Sequence, residues 1–267
     1  MDKSHNPKIV NTKLNSFPFA QVLIMGVILL TSSASWALGI SSFRIYLDFD
    51  KRQQNFMMYN KDAYTQHCKL YLRYYIENDK GELEVYENDT LPENSAEPWL
   101  RFSPKSFSIA PAQAQSVAFQ LRRRANTQPA EYRSHVTIDC DFDVEEYQQA
   151  IELNVANFVP KLRTNIPVVL RTGSIDVDVS FSNIVVNNGA VSFDLNRQGK
   201  RSIFGDIELI DTRSDKVIAN IPQLSIYEIA SKSYKLPTEG VPLNKLKLRF
   251  TENTEYGGNK IIEKKLQ

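Results

Sequence analysis

From residue 42 onward the apolar residues of this chain recur at every second position, the spacing of a β-strand with one buried face. The stretch AEYRSHVTIDCDF at 130–142 shows it well. Tyr132, Ser134, Val136, Ile138 and Cys140 form a mostly apolar face, and Glu131, Arg133, His135, Thr137 and Asp139 form the other. No helical period holds for more than two turns. The alternation predicts strands over 42–49, 56–59, 67–77, 99–102, 107–109, 116–122, 131–140 and 150–155, with a further extended run at 162–171. Turn residues separate them: Asn78-Asp79-Lys80-Gly81, the Pro-containing 110–114, and 126–130.

So many short strands in about 135 residues predict an all-β domain of the immunoglobulin-like sandwich kind. Arg171-Thr172-Gly173-Ser174 reads as a short linker. Weaker strands follow near 175–181, 190–196, 205–211, 216–221, 233–236 and 246–251. The expected organisation is a leader over 1–37, a first sandwich over 38–171 and a smaller second sandwich over 172–267.

The chain has two cysteines, and their strands can be docked from pattern alone. If 67–77 runs antiparallel to 131–140 with Cys68 opposite Cys140, then Leu70 faces Ile138 and Leu72 faces Val136. Tyr74 then faces Ser134 and Ile76 faces Tyr132, while Lys69 meets Asp139 on the other face as a favourable charge pair. A slip of one residue would set apolar side chains against the polar face. A Cys68–Cys140 disulfide satisfies this register; two unpaired core thiols are the alternative.

The same register argues against zinc. His67 and His135 project from one face and Cys68 and Cys140 from the other, and the two histidines lie about 20 Å apart at strand rise. Nucleophilic catalysis lacks its parts as well: there is no Gly-x-Ser-x-Gly elbow and no Gly-rich phosphate loop. Asp139, Asp141, Asp143, Glu145 and Glu146 form an acidic cluster without the alternating ligands and turn glycine of a calcium loop, and read as a solvated loop. No catalytic residue, metal or cofactor is expected, and the chain is not expected to be an enzyme.

The beginning of the chain points to export. Lys3, Lys8 and Lys13 precede the apolar run VLIMGVILL at 22–30 and then TSSASWA, whose Ser35 and Ala37 have the spacing of a signal-peptidase site. The run is too short to span a bilayer, which needs about 20 apolar residues. Cleavage after Ala37 would remove three lysines and one aspartate and take the formal charge from +1 to −1. A near-neutral mature chain argues against nucleic-acid binding, and no later stretch suits membrane insertion. An oxidising compartment permits the disulfide.

Several stretches together resemble periplasmic assembly chaperones of the chaperone–usher pilus pathway, in their non-classical or archaic branch. SFRIYLDF at 42–49 is similar to that family's first strand. WLRFSPKSFSIAPAQAQSVAFQLRRR at 99–124 resembles a strand, a proline turn and a Gln-containing strand leading into arginines. EYRSH at 131–135 is similar to the start of the following strand, and NIPVVLRTGS at 165–174 to the end of the first domain.

The resemblance implies a periplasmic, non-enzymatic chaperone for fimbrium biogenesis. Such a protein holds pilus subunits by donor-strand complementation and passes them to an outer-membrane usher. Its donor strand would expose alternate apolar side chains on an open edge, here Ile151, Leu153, Val155 and Val159. It also implies two basic residues that hold the subunit's terminal carboxylate. Arg44 matches the first. The family's lysine falls on Pro167, so Arg163 or Arg171 is expected in its place, with Lys161, Arg133 and Arg122 as further substitutes. A structural or adhesive surface protein built from immunoglobulin-like domains is the alternative, and a dimer that caps its own open edge is left open.

Overall fold

A computed structural model describes residues 38–122, 127–150 and 161–266. The leader expected over 1–37 and the donor residues Ile151, Leu153, Val155 and Val159 lie outside the described residues, as does most of the strand expected over 150–155.

The chain forms two β-sandwiches. In the first, one sheet runs β1 (Gly39–Ile40), β3 (Gln53–Tyr59), β9 (Ala114–Leu121) and β7 (Leu100–Ser103). The facing sheet runs β2 (Ile45–Leu47), β11 (Leu162–Thr172), β10 (Ala130–Phe142), β4 (Gln66–Arg73) and β8 (Ser106–Ile109). Alternate residues of both sheets meet in one core of Ile45, Phe56, Leu70, Phe119, Ile138 and Val168 among others, as period-2 strands packed face to face require.

The second sandwich has a sheet of β12 (Val177–Asn187), β13 (Ala190–Gly199) and β16 (Ser231–Pro237). Its partner sheet runs β15 (Lys216–Ile226), β14 (Ile203–Asp211), β17 (Leu246–Glu252) and β18 (Ile261–Lys265). Its own core holds Phe193, Leu195, Leu209, Leu248 and Phe250. Arg201 and Glu252 are buried together beside it, Nη1 donating to Oε1 at 2.6 Å and Nη2 to Oε2 at 2.9 Å.

The β4–β10 register is the expected one from Cys68↔Cys140 through His135↔Arg73. Cys68 and Cys140 are joined as a disulfide, which removes both as free thiols or ligands. Beyond Arg73 the register expectation fails. Tyr75–Glu77 (β5) leaves the sheet and pairs with Leu83–Val85 (β6), so neither the Tyr74–Ser134 nor the Ile76–Tyr132 pair forms. The cause is local. Asn78 Oδ1 accepts from the backbone N–H of Lys80 and Glu82, and Gly81 takes the positive φ that closes the hairpin. The backbone of Asn94 and Ala96 bonds to Arg133 in the vacated place.

Three other expectations are corrected. The polar face of β10 is not solvent-facing: Glu131, Arg133, His135 and Thr137 are buried, the first three against groups of the second sandwich. The linker is shorter than Arg171–Ser174, because β11 runs through Thr172, whose Oγ1 accepts from Ala130 N–H at 3.1 Å. The acidic cluster is not a loop either. Asp143 Oδ1 accepts from Glu146 N–H at 3.0 Å and starts a short helix, α1 (Val144–Ala150), as an acidic N-cap does.

Candidate functional site

The first strand region, β10 and β11 send basic side chains into the buried junction between the two sandwiches. Arg44, just ahead of β2, is only 3% exposed. Its Nη2 donates to Ser225 Oγ at 2.7 Å and to Tyr227 Oη at 3.1 Å. Its guanidinium lies 4.1 Å from the centre of the Phe204 ring, a cation–π contact in a desolvated place. Arg44 Nε is buried without a hydrogen-bond partner.

Arg171, near the end of β11, joins the two sandwiches. Its Nε donates to Glu131 Oε2 at 2.9 Å, its Nη1 to the Gly257 carbonyl at 2.7 Å and its Nη2 to the Ser202 carbonyl at 3.2 Å. Glu131 Oε1 accepts from Ser202 N–H at 2.9 Å. Gly257 has φ +71°, and a Cβ there would collide with the Tyr46 hydroxyl, so the position needs glycine. Burial pushes the Tyr46 phenol up to about 12, against the charge of Arg171.

Arg133 donates through Nη2 to Glu228 Oε1 and to Tyr74 Oη, and lies 5.2 Å from the centre of the Tyr227 ring. Burial raises the Glu228 carboxyl, but the charge of Arg133 and bonds from Asn94, Tyr74 and Arg133 outweigh it and hold the group below its ordinary value. His135 is 7% exposed, edge-on to Tyr75 at 4.6 Å, with Nδ1 unpartnered. Burial, then the charges of Arg44 and Arg133, push its pKa down to about 4. It is a neutral side chain at pH 7.

Of the basic residues expected from sequence, Arg44 and Arg171 therefore share this junction, and Arg133 joins them. Arg163 does not. It lies at the far end of β11, exposed, with Nη2 donating to Asp139 Oδ2 at 3.0 Å. Lys161 sits beside it, 3.5 Å from Asp139 and 3.3 Å from Asp141. Pro167 pairs with His135 in the ladder. Sequence reasoning missed Ser225, Tyr227, Phe204 and Glu228, because nothing in their own strand pattern marks them as partners of residues so distant in the chain as Arg44 and Arg133. The one available signal was the run Glu131, Arg133, His135 and Thr137, a strand face polar in type but rich in groups that need partners when buried.

β11 is also asymmetric in its pairing. On one side β10 pairs with it from Leu162 to Thr172. On the other, β2 pairs only with Val168–Leu170, in parallel. Among the described residues, the first half of β11 is an open edge.

No family model matches the sequence, and no curated protein matches it. Among solved structures the chain is similar to the YadV chaperone, with 15% identity, a TM-score of 0.49, and 86% of this chain and 99% of that one covered. It is similar to the CupB2 chaperone of Pseudomonas aeruginosa, with 11% identity, a TM-score of 0.48 and 86% and 100% covered. It is also similar to the Salmonella enterica SafB chaperone in complex with the SafA pilin, with 9% identity, a TM-score of 0.49 and 86% and 97% covered.

Proposed function

We propose that this chain is a periplasmic chaperone that holds a pilus subunit by lending it a strand and then delivers it to an outer-membrane usher. The observation that supports this most is the open edge of β11. Its unpaired half begins immediately after residues 151–160, where Ile151, Leu153 and Val155 alternate with Glu152 and Asn154, and Val159 follows after an interruption at Asn157-Phe158. A strand continuing that edge would offer main-chain bonds and alternate apolar side chains to a partner sheet. In this reading 38–171 is the subunit-holding domain and 172–267 completes the junction.

Arg44 is the anchor for a terminal carboxylate. Its present acceptors are neutral hydroxyls, Ser225 Oγ and Tyr227 Oη. A carboxylate replacing them would make charge-assisted bonds, which are stronger. Arg171 is committed to Glu131, Gly257 and Ser202, so its part is to hold the junction together.

The test is co-expression of the chain with each exported β-rich protein encoded beside it, followed by isolation of a one-to-one complex. Arg44→Ala is expected to weaken that complex by about tenfold to a hundredfold, the worth of a charge-assisted bond, with Arg44→Lys in between and the free chaperone still folded. If no neighbouring protein is stabilised, the chaperone reading fails. If complexes form equally well with both variants, Arg44 leaves the site.

A further inference from the structure

The opposite margin of the first sandwich carries a second incomplete edge. Among the described residues β7 is the last strand of its sheet and pairs only with β9. β4 is flanked by β8 as far as Lys69, and the Leu70 N–H donates to the Lys105 carbonyl. Among the described residues, Tyr71, Leu72 and Arg73 have no strand on that side. Between these two half-paired strands runs a groove of about 990 Å³.

The floor of the groove is apolar, with Leu70, Leu100, Phe102 and Phe119 reaching it from the core. Its rim is basic: Lys69, Arg101, Lys105 and Arg122 line it and are exposed, against the single carboxylate of Glu97. None of the four cations forms an ion pair with a described residue. Asp139 faces Lys69 across the ladder, yet its carboxylate goes to Lys161 and Arg163. Beyond residue 37 the chain is close to neutral overall, so this concentration of unpaired positive charge is local. Lys105 Nζ lies 5.3 Å from the centre of the Phe102 ring, and the four like charges brought together repel.

We propose that this groove is a docking site for an extended acidic segment of a partner protein. The segment adds a strand to the free edge of β7, and its carboxylates meet Lys69, Arg101, Lys105 and Arg122. Three features select that occupant. The free edge supplies main-chain donors and acceptors, which an extended peptide matches and a nucleic acid does not. The apolar floor accepts every second side chain of such a strand. The basic rim favours carboxylates on the alternate positions and speeds their encounter. The site is separated from β11 by β10, which lies between β11 and β4 in the sheet, so it leaves the strand-lending edge free and stands or falls apart from the function proposed above.

The test uses the full chain from residue 38 and the synthetic peptide acetyl-Glu-Val-Glu-Val-Glu-Val-Glu-amide. Binding is followed by amide chemical shifts at about 50 mM salt, where surface charges are weakly screened. Saturable binding is expected, with shifts confined to β7, β4 and the turn at Lys105. The corresponding Lys-Val peptide is expected not to bind. The variant Lys69→Glu/Arg101→Glu/Lys105→Glu alters only exposed side chains and should keep its fold by circular dichroism, while its affinity for the acidic peptide falls about tenfold or more. Four results would overturn the proposal: no saturable binding, undiminished binding by the charge-reversed variant, shifts that map to β11, or tighter binding of oligothymidylate than of the acidic peptide.

Discussion

His135 shows what burial does to a single side chain here. It faces Tyr75 and Tyr227, with the guanidinium groups of Arg44 and Arg133 close enough to add to the effect of desolvation. Its pKa falls from 6.5 to about 4, so between those values the unfolded chain binds a proton that the folded chain refuses. Stability is therefore complete above pH 6.5 and lost as the pH drops toward 4, by about 3 kcal/mol in all. Urea midpoints measured across that range should show the decline, and His135→Phe should remove that part of it. A slope unchanged in the variant would assign the titration to another group. The sequence placed His135 on the polar face of its strand correctly, but beyond the run of partner-seeking groups on that face it did not mark the face as buried, because burial comes from residues such as Tyr227 that are distant in sequence.

At the scale of elements, the junction of β4 and β10 was legible and the departure after Arg73 was not. A side-chain period of two allows only registers that keep Leu70, Leu72, Val136 and Ile138 on one face, and among these the pairing of Cys68 with Cys140 selects the observed one. The hairpin that follows was not anticipated as a separate element, since Tyr75–Glu77 continues the same alternation. Only the turn chemistry of Asn78 and Gly81 decides that it folds back. The disulfide closes a separation of 72 residues, and a loop of that size is worth about 2–5 kcal/mol. Cys68→Ser/Cys140→Ser should lower the urea midpoint of the first sandwich accordingly while leaving the second unaffected. Equal stability with and without the bond would mean that the β4–β10 packing alone fixes this junction.

At the scale of the whole molecule, the two sandwiches are held at a set angle by polar contacts more than by a shared core. Glu77 Oε2, at the end of β5, accepts from three successive backbone N–H groups, those of Tyr227, Glu228 and Ile229, at 2.9, 2.7 and 3.2 Å. Lys232 Nζ donates to the Gly81 carbonyl in the same hairpin. Arg171 and Arg44 make the corresponding contacts elsewhere in the buried junction. Glu77→Ala should leave those amides without their acceptor, cost about 1–3 kcal/mol, and broaden the distribution of interdomain distances seen by small-angle scattering. An unchanged distribution would show that the arginines suffice.

The sequence by itself determined most of the strands, though not β6 or β18, together with the two-sandwich architecture and the register that joins Cys68 to Cys140, because alternation and turn residues are local or nearest-neighbour properties. Only the tertiary structure decided that the polar face of β10 is an interior surface, that Arg44 meets Ser225 and Tyr227 while Arg163 stays outside, and that among the described residues β11 and β7 have open edges. Those outcomes depend on which surfaces the second sandwich covers and which strands end short of their neighbours, and no local pattern encodes either.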